Sequence, residues 1–384
     1  MEEWRALSPA TLVAHDPGIA GGPVAPPIQQ TSLFTFRSVA EMQATFAGET
    51  AQPIYSRVGN PTVRLFEEKV AALEGGAAAR AFASGMAAIS SAILAHVKAG
   101  ERIVCIRHVY PDTYRLMRKL LPRLGITVTF VDGRDLAALD AALDGARLLY
   151  LESPTSVVFE VHDLAAQTAL ARRHGAMTIC DNSWATPLNQ RPLALGADLV
   201  VHSASKYLSG HSDTVAGIVV GSKEALAAID DLTMPYLGAK LAPLEAWLLV
   251  RGLRTLPLRM RRHHESGVEV ARWLEAQPQV VRVRHPALDP AWRLERCSSL
   301  FSIELAQKLD IARFCDSLML FHLGVSWGGY ESLVFPALAG LGQSGGPNAL
   351  RDFGVSDRLV RLHVGLEEPA DLIADLDQAF DQAT

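Results

Sequence analysis

From Pro61 onward, short apolar runs alternate with amphipathic stretches, and this alternation limits the fold more than any other feature of the chain. The runs are Arg102–Ile106, Ile126–Val131, Arg147–Leu151, Met177–Cys180, Leu199–His202 and Ile218–Val220. Helical patterns such as Thr113–Leu124 and Leu164–His174 separate most of them. Strands this short and apolar are buried on both faces, which predicts an α/β fold with a mainly parallel sheet sandwiched by helices. The first helix opens at Pro61. Val63, Phe66, Val70 and Leu73 recur at helical spacing, and Gly75-Gly76 stop it. Ligands in such sheets bind beyond the carboxyl ends of the strands, so the residues just after each apolar run are where chemistry is expected.

Three segments follow from the pattern. Residues 1–56 lack strong periodicity and carry the stretch GIAGGPVAPP. They read as an N-terminal arm that contacts a neighbouring subunit. Residues 57–250 hold the alternating region. From residue 251 the pattern changes to a long helix, Leu256–Ala276, then Val280–Val283, Leu300–Glu304, a helix near Ile311–Leu320 and a last helix from Ala370. Residues 251–384 therefore read as a smaller C-terminal α+β domain, with Pro336–Pro347 as loop.

Composition removes several classes of function. The net charge is −5 and no long basic run occurs, so nucleic acid is not an expected partner. No run of about 18 apolar residues suggests a membrane span. The start, MEEWRALSPA, lacks the apolar stretch of a secretory signal. The four cysteines, Cys105, Cys180, Cys297 and Cys315, lie far apart without a C-x-x-C pair. They suggest neither zinc nor redox chemistry and fit a reduced, cytoplasmic setting.

Five segments carry residues suited to catalysis. After the run at 199–202 comes HSASKYLSGHSD, in which Lys206 could bond to a carbonyl cofactor while Ser203 and Ser205 hydrogen-bond a phosphate. Asp181 ends the run at 177–180, where a carboxylate can keep a pyridine nitrogen protonated. In ASGMAAI, the backbone N–H groups at Ser84–Met86 open a helix and form an anion site. Tyr110 and Tyr114 follow the run at 102–106, where one can stack on an aromatic ring. Arg361, in RLHVGLE, has the bidentate geometry that an α-carboxylate needs. Taken singly, each also fits a surface lysine, a turn aspartate, an ordinary helix start, a half-buried tyrosine or an ion-pair arginine. Lys206 also matches S-x-x-K, but S-D-N and K-T-G are absent. Gly340, Gly342 and Gly345 match G-x-G-x-x-G outside any βαβ unit. His263-His264-Glu265 lacks metal-ligand spacing, and no metal site is expected.

The joint order of the motifs is far more specific. The series YSRVGNPT, SGMAA, YPDTY, ESPT, DNSWATP, SASKYLSGHSD and RLHVGLE resembles the Cys/Met-metabolism family of enzymes dependent on pyridoxal 5′-phosphate (PLP), over about residues 55–367. The resemblance implies the aminotransferase-like arrangement known as fold type I. It implies that Lys206 is the Schiff-base lysine, that Asp181 pairs with the pyridinium and that Tyr110 stacks on the ring; Tyr110 is expected to assist proton transfer if neighbouring charges lower its pKa. It places Gly85, Met86, Ser203 and Ser205 around the phosphate. Tyr55 and Arg57 are similar to the pair that reaches the phosphate of a neighbouring subunit, implying a dimer with shared active sites and the family's usual homotetramer. Arg361, with Ser326, matches the substrate-carboxylate site.

Within the family, SWGGYES (Ser326–Ser332) resembles the segment of the β-lyases that act on L-cystathionine, which carry Trp at the position of Trp327. The γ-acting lyases and synthases more typically have Leu there. ESPTSVVFEVHD (Glu152–Asp163) is also β-lyase-like, with Ser156 in place of the Asn common in γ-enzymes. The implied reaction is α,β-elimination from L-cystathionine or related cysteine thioethers and disulfides. Its alternatives are γ-lyase or γ-synthase chemistry and, remotely, a non-catalytic binding or regulatory protein on the same fold. No DNA-binding extension of the kind such regulators carry is visible.

Overall fold

The computed structural model describes residues 7–16 and 22–383. Seven strands form the larger sheet: β1 (Ala78–Phe82), β2 (Arg102–Ile106), β3 (Thr127–Val131), β4 (Leu148–Glu152), β5 (Met177–Asp181), β6 (Leu199–Ser203) and β7 (Gly217–Gly221). Their order is β1-β7-β6-β5-β4-β2-β3. The run from β3 to β6 is parallel, and β7 lies antiparallel to both β1 and β6. The expected mainly parallel sheet is thus present, each apolar run falling on a strand. Helices including Gly85–His96 and Leu164–Arg173 cover it, and every residue of β4 and β7 is buried.

Parallel register brings the carboxyl ends of β2, β4, β5 and β6 to one edge. Glu152 pairs with Asp181, and Asp181 with Val201. Chain order reverses between β2 and β4, and this reversal opens a crevice at that edge.

The smaller sheet contains β8 (Val280–Arg284), β9 (Leu300–Leu305), β10 (His322–Leu323), β11 (Leu333–Pro336) and β12 (Leu359–His363), in the order β10-β11-β12-β9-β8. Its core includes Phe301, Phe314 and Phe380, the last from the Pro369–Ala383 helix.

Three elements differ from the sequence expectation. The long helix starts at Pro243, well before Leu256, and ends at Glu275. Pro243 sits in the first turn, where its missing N–H costs nothing. Gly252 and Pro257 hide the periodicity between. The junction drawn at residues 250 and 251 falls inside this helix. The stretch Pro336–Pro347 is not all loop, since Ala337–Leu341 forms a short helix. One turn between prolines and glycines has too little periodicity to read. Thr113–Leu124 begins as the Pro111–Arg115 helix, widens at Leu116–Leu120 and tightens at Leu121–Leu124, where Pro122 cannot donate to the ladder.

Part of the arm packs on its own chain. Leu12 and Val13 join the core of the Pro61–Glu74 and Pro243–Glu275 helices. Asp16 pairs with the buried Lys69 ammonium at 2.9 Å. Further along, Leu33, Val39 and Phe46 are exposed. Residues 1–6 and 17–21, the latter including the first four residues of GIAGGPVAPP, lie outside the described residues.

The Pro243–Glu275 helix also fixes the loop after β6. Arg259 Nη1 donates to the Tyr207 carbonyl and Nη2 to that of Gly252, both at 2.8 Å. A Cβ at Gly252 would collide with the Ser209 carbonyl oxygen and lie 2.9 Å from that of Leu208. Gly252→Ala is therefore expected to lower stability by about 1–3 kcal/mol through overpacking. The urea midpoint measures this; an unchanged midpoint would mean that the helix and loop do not need this close approach.

Candidate active site

A cavity of about 400 Å³ opens at the carboxyl edge of the larger sheet. Its lining brings together Gly85, Met86, Tyr110, Asp181, Ser203, Ser205, Lys206, Ser326, Trp327 and Arg361. Residues far apart in the chain meet because β2, β4, β5 and β6 end together and the smaller sheet closes the opposite wall. Tyr55 does not line this cavity, and Arg57 lines a separate groove of about 620 Å³ that shares no residue with it. Tyr55 is exposed, and Arg57 donates to the Pro235 carbonyl.

Lys206 Nζ donates to Ser326 Oγ at 2.6 Å and lies 5.2 Å from the Trp327 ring centre. Burial, reinforced by the Arg361 charge, holds its pKa down to about 8. Arg361 Nη2 donates to the Ser326 carbonyl at 3.2 Å, and its guanidinium lies 5.0 Å from the Phe335 ring centre. It makes no salt bridge among the described residues. Ser326 thus tethers both cations, and donors of Arg361 remain for an incoming carboxylate.

Asp181 is buried, and its Oδ1 accepts from Ser183 N at 2.9 Å and Ser183 Oγ at 2.6 Å. Ser183 Oγ in turn accepts from Ser203 N at 2.7 Å, stitching β5 to β6. Burial pushes the Asp181 carboxyl up despite these bonds. Glu152 is also raised, by burial and by the Asp181 charge, and its Oε2 accepts the Tyr110 N–H at 2.8 Å. Two desolvated carboxylates so close favour a cation or a proton between them.

Ser84 caps the Gly85–His96 helix by accepting from Ala87 N at 3.0 Å. A Cβ at Gly85 would lie 2.9 Å from Ser203 Oγ, so only glycine lets this helix start approach the end of β6. Ser205 Oγ accepts the Ala216 N–H at 2.9 Å, which orients its loop.

Tyr110 borders the cavity, whereas Tyr114 is buried elsewhere and donates to Asp352 at 2.5 Å. Activation of Tyr110 by neighbouring charges, the condition for its expected catalytic part, is not what the geometry provides. Burial and the adjacent Asp112 carboxylate, to which its hydroxyl donates at 3.1 Å, push the phenol up to about 12. Sequence reasoning assigned nothing to Glu152, Ser183 or Trp184. All three stood inside quoted motifs, but only the register, the Ser183 bonds to Asp181 and Ser203, and the Trp184 Nε1 bond to the Leu300 carbonyl, 2.9 Å, reveal their placement. Of the false positives, His263 is buried against the Val364 carbonyl at 3.1 Å, and Gly340 and Gly342 sit at the Ala337–Leu341 helix.

A lysine, a buried strand-end carboxylate and a helix N-terminus around one cavity match the amine, ring nitrogen and phosphate requirements of a PLP enzyme of fold type I. The chain belongs to the Cys/Met metabolism PLP-dependent enzyme family, whose pattern matches residues 12–381. It is 42% identical to an L-methionine gamma-lyase of Pseudomonas putida, over 95% of this chain and 94% of the relative. It is 39% identical to a cystathionine beta-lyase of Bordetella avium, over the full length of both. Among solved structures, a cystathionine gamma-lyase of Lactobacillus plantarum superposes with a TM-score of 0.90 at 35% identity, covering 98% of this chain and 99% of that one. PLP is therefore the cofactor of this chain's family, and the donor set fits it. No described helix is long and apolar enough to cross a membrane.

The Lys206 environment has a measurable consequence. Only the neutral amine attacks an aldehyde, and a lowered pKa extends that form to lower pH. Capture of PLP by the apoprotein, followed by its visible absorbance, is expected to accelerate as pH rises through about 8. Acceleration confined to the range of an ordinary lysine, near 10.5, would contradict the desolvated placement.

Proposed function

We propose that this chain cleaves L-cystathionine by α,β-elimination, yielding homocysteine, pyruvate and ammonia with the uptake of one water. Cysteine S-conjugates share the same reactive core and are expected substrates. Lys206 is the attachment point of the cofactor, Asp181 the partner of its ring nitrogen and Tyr110 the residue that stacks on its ring. The Ser84–Met86 helix start, with Ser203 and Ser205, takes the phosphate. PLP supplies an aldehyde that takes the substrate amine and a ring that accepts the electron pair of the broken Cα–H bond.

The protein's own groups do the rest. Arg361 and Ser326 hold the α-carboxylate and so orient the Cα–H bond toward Lys206. The Lys206 amine, neutral near pH 8, takes the Cα proton and returns it to the departing sulfur as the Cβ–S bond breaks. Trp184 and Trp327 wall the cavity and exclude water from the reacting carbon.

The observation that carries β over γ chemistry is the Trp327 indole flanking Lys206 Nζ. Gamma-elimination needs a second proton removed from Cβ, so the base must serve two carbons. An indole packed 5.5 Å from the Tyr207 ring is held in place and narrows the range of the amine. The similarity to an L-methionine gamma-lyase of Pseudomonas putida supports γ-elimination as the second reading.

Tyr55, Arg57 and the exposed Leu33, Val39 and Phe46 lie outside the chain's own cavity. This supports a dimer in which Tyr55 and Arg57 complete the partner's phosphate site, and a tetramer built from two such dimers.

Chromatography of the oxo-acid formed from L-cystathionine by the PLP-loaded enzyme tests the reading. Pyruvate with homocysteine is expected, and 2-oxobutyrate with cysteine moves the chain to γ-elimination. Trp327→Leu is expected to lower kcat/KM for pyruvate formation roughly tenfold, about 1.4 kcal/mol of transition-state stabilisation. Unchanged kcat/KM and product ratio would remove Trp327 from the argument.

A further inference from the structure

Away from the catalytic groups, the end of β3 and the segment returning after β4 bring Asp132, Glu160 and His162 together. One carboxylate oxygen from each acid and one ring nitrogen of His162 lie within 4.8 Å of one another. His162 is 8% exposed, and neither of its ring nitrogens has a hydrogen-bond partner among the described residues. Beside it, Gln167 Nε2 donates to the Gly133 carbonyl at 2.7 Å, while Gln167 Oε1 has no partner. Buried polar groups in folded proteins are nearly always satisfied, so an imidazole with both nitrogens unmet points to a missing ligand. Burial favours the neutral ring, the form that coordinates metal.

Arg134 now occupies the acidic side of this cluster. Its Nη2 lies 3.1 Å from Asp132 Oδ2 and 3.1 Å from Glu160 Oε1, but it makes no bond to His162. The Arg134 side chain is 55% exposed, and ion pairs so exposed contribute little. Swinging it into solvent leaves the Glu160 carboxylate, whose side chain is only 15% exposed, to be met by the incoming ion.

We propose that Asp132, Glu160 and His162 form a binding site for one divalent transition ion of the zinc class, in competition with the Arg134 guanidinium. One imidazole nitrogen and two carboxylate oxygens, with a coordination position left open, are a zinc-type donor set. The imidazole selects against magnesium and calcium, which take oxygen ligands. Nothing local in the chain marks the site, because its members come from two crossovers and follow no ligand spacing. The site grips the base of a cavity wall. His162 N donates to Ser153 Oγ at 2.9 Å and Glu160 N to Thr155 Oγ1 at 3.0 Å, while Thr155, Ser156, Val157 and Phe159 line the cavity. A bound ion pins this wall and raises the thermal stability of the holoenzyme.

Calorimetric titration of the metal-stripped holoenzyme with ZnCl2 tests the proposal. The expected result is one ion per chain, with affinity lowered at least about tenfold in His162→Ala and in the near-isosteric Glu160→Gln. Retained cofactor absorbance checks the folding of each variant. Arg134→Gln, which removes the competing cation, is expected to bind zinc several-fold more tightly. The proposal is overturned by absence of saturable zinc uptake, by equal uptake in the His162 and Glu160 variants, or by weaker binding in Arg134→Gln, which would make the arginine the cluster's true cation.

Discussion

The Asp181 carboxylate, buried where β5 ends, sets the terms for everything around it. In a sheet with apolar faces such a charge must be met by donors or a cation, or it takes up a proton. Ser183 supplies two donors, and Ser203 completes the chain of bonds that locks the ends of β5 and β6 together. Lys206 follows on the turn that this lock holds. Glu152, opposite Asp181 in the register, is itself pushed up by burial and by the Asp181 charge, so the pair holds a proton unless a positive partner is present. On the proposed reading, a protonated pyridine nitrogen meets that demand, so the constraint that shapes the strand ends also favours the cofactor.

Cations on the facing wall obey the same physics. Lys206 and Arg361 are both held below their ordinary pKa values by burial, and the Arg361 charge depresses Lys206 further. The long Pro243–Glu275 helix holds this wall through Arg259 and the close approach at Gly252, far from the reacting atoms. The helix therefore reaches the cavity through the Lys206–Gly210 loop, while the smaller sheet reaches it directly through Arg361. Selectivity, in the function proposed above, rests on the Trp327 indole that flanks Lys206 Nζ.

Much of this was legible in the sequence. Buried parallel strands leave unbroken apolar runs, so β2 and β4–β6 were visible almost to the residue, as was the antiparallel but fully buried β7. Asp181 stood directly at a run end, Lys206 shortly after one and Arg361 within a strand-like run, and short motifs in fixed order add to one another. What stayed hidden depends on contacts between distant segments. Nothing local marks Glu152 as the neighbour of Asp181, Ser183 as the link to Ser203, or His162 as the companion of Asp132. The early start of the Pro243 helix was masked by Gly252 and Pro257, the first of which answers to the loop packed against it. The high pKa of Tyr110 was equally unreadable, because it follows from partial burial and from how its hydroxyl meets Asp112.

Borohydride reduction of the PLP-loaded enzyme, followed by proteolysis and mass mapping, tests the central claim most directly. The strand-end arrangement predicts one pyridoxyl group per chain, on the peptide containing Lys206. A label on another lysine, or no label at all, would contradict the account of how this site is built.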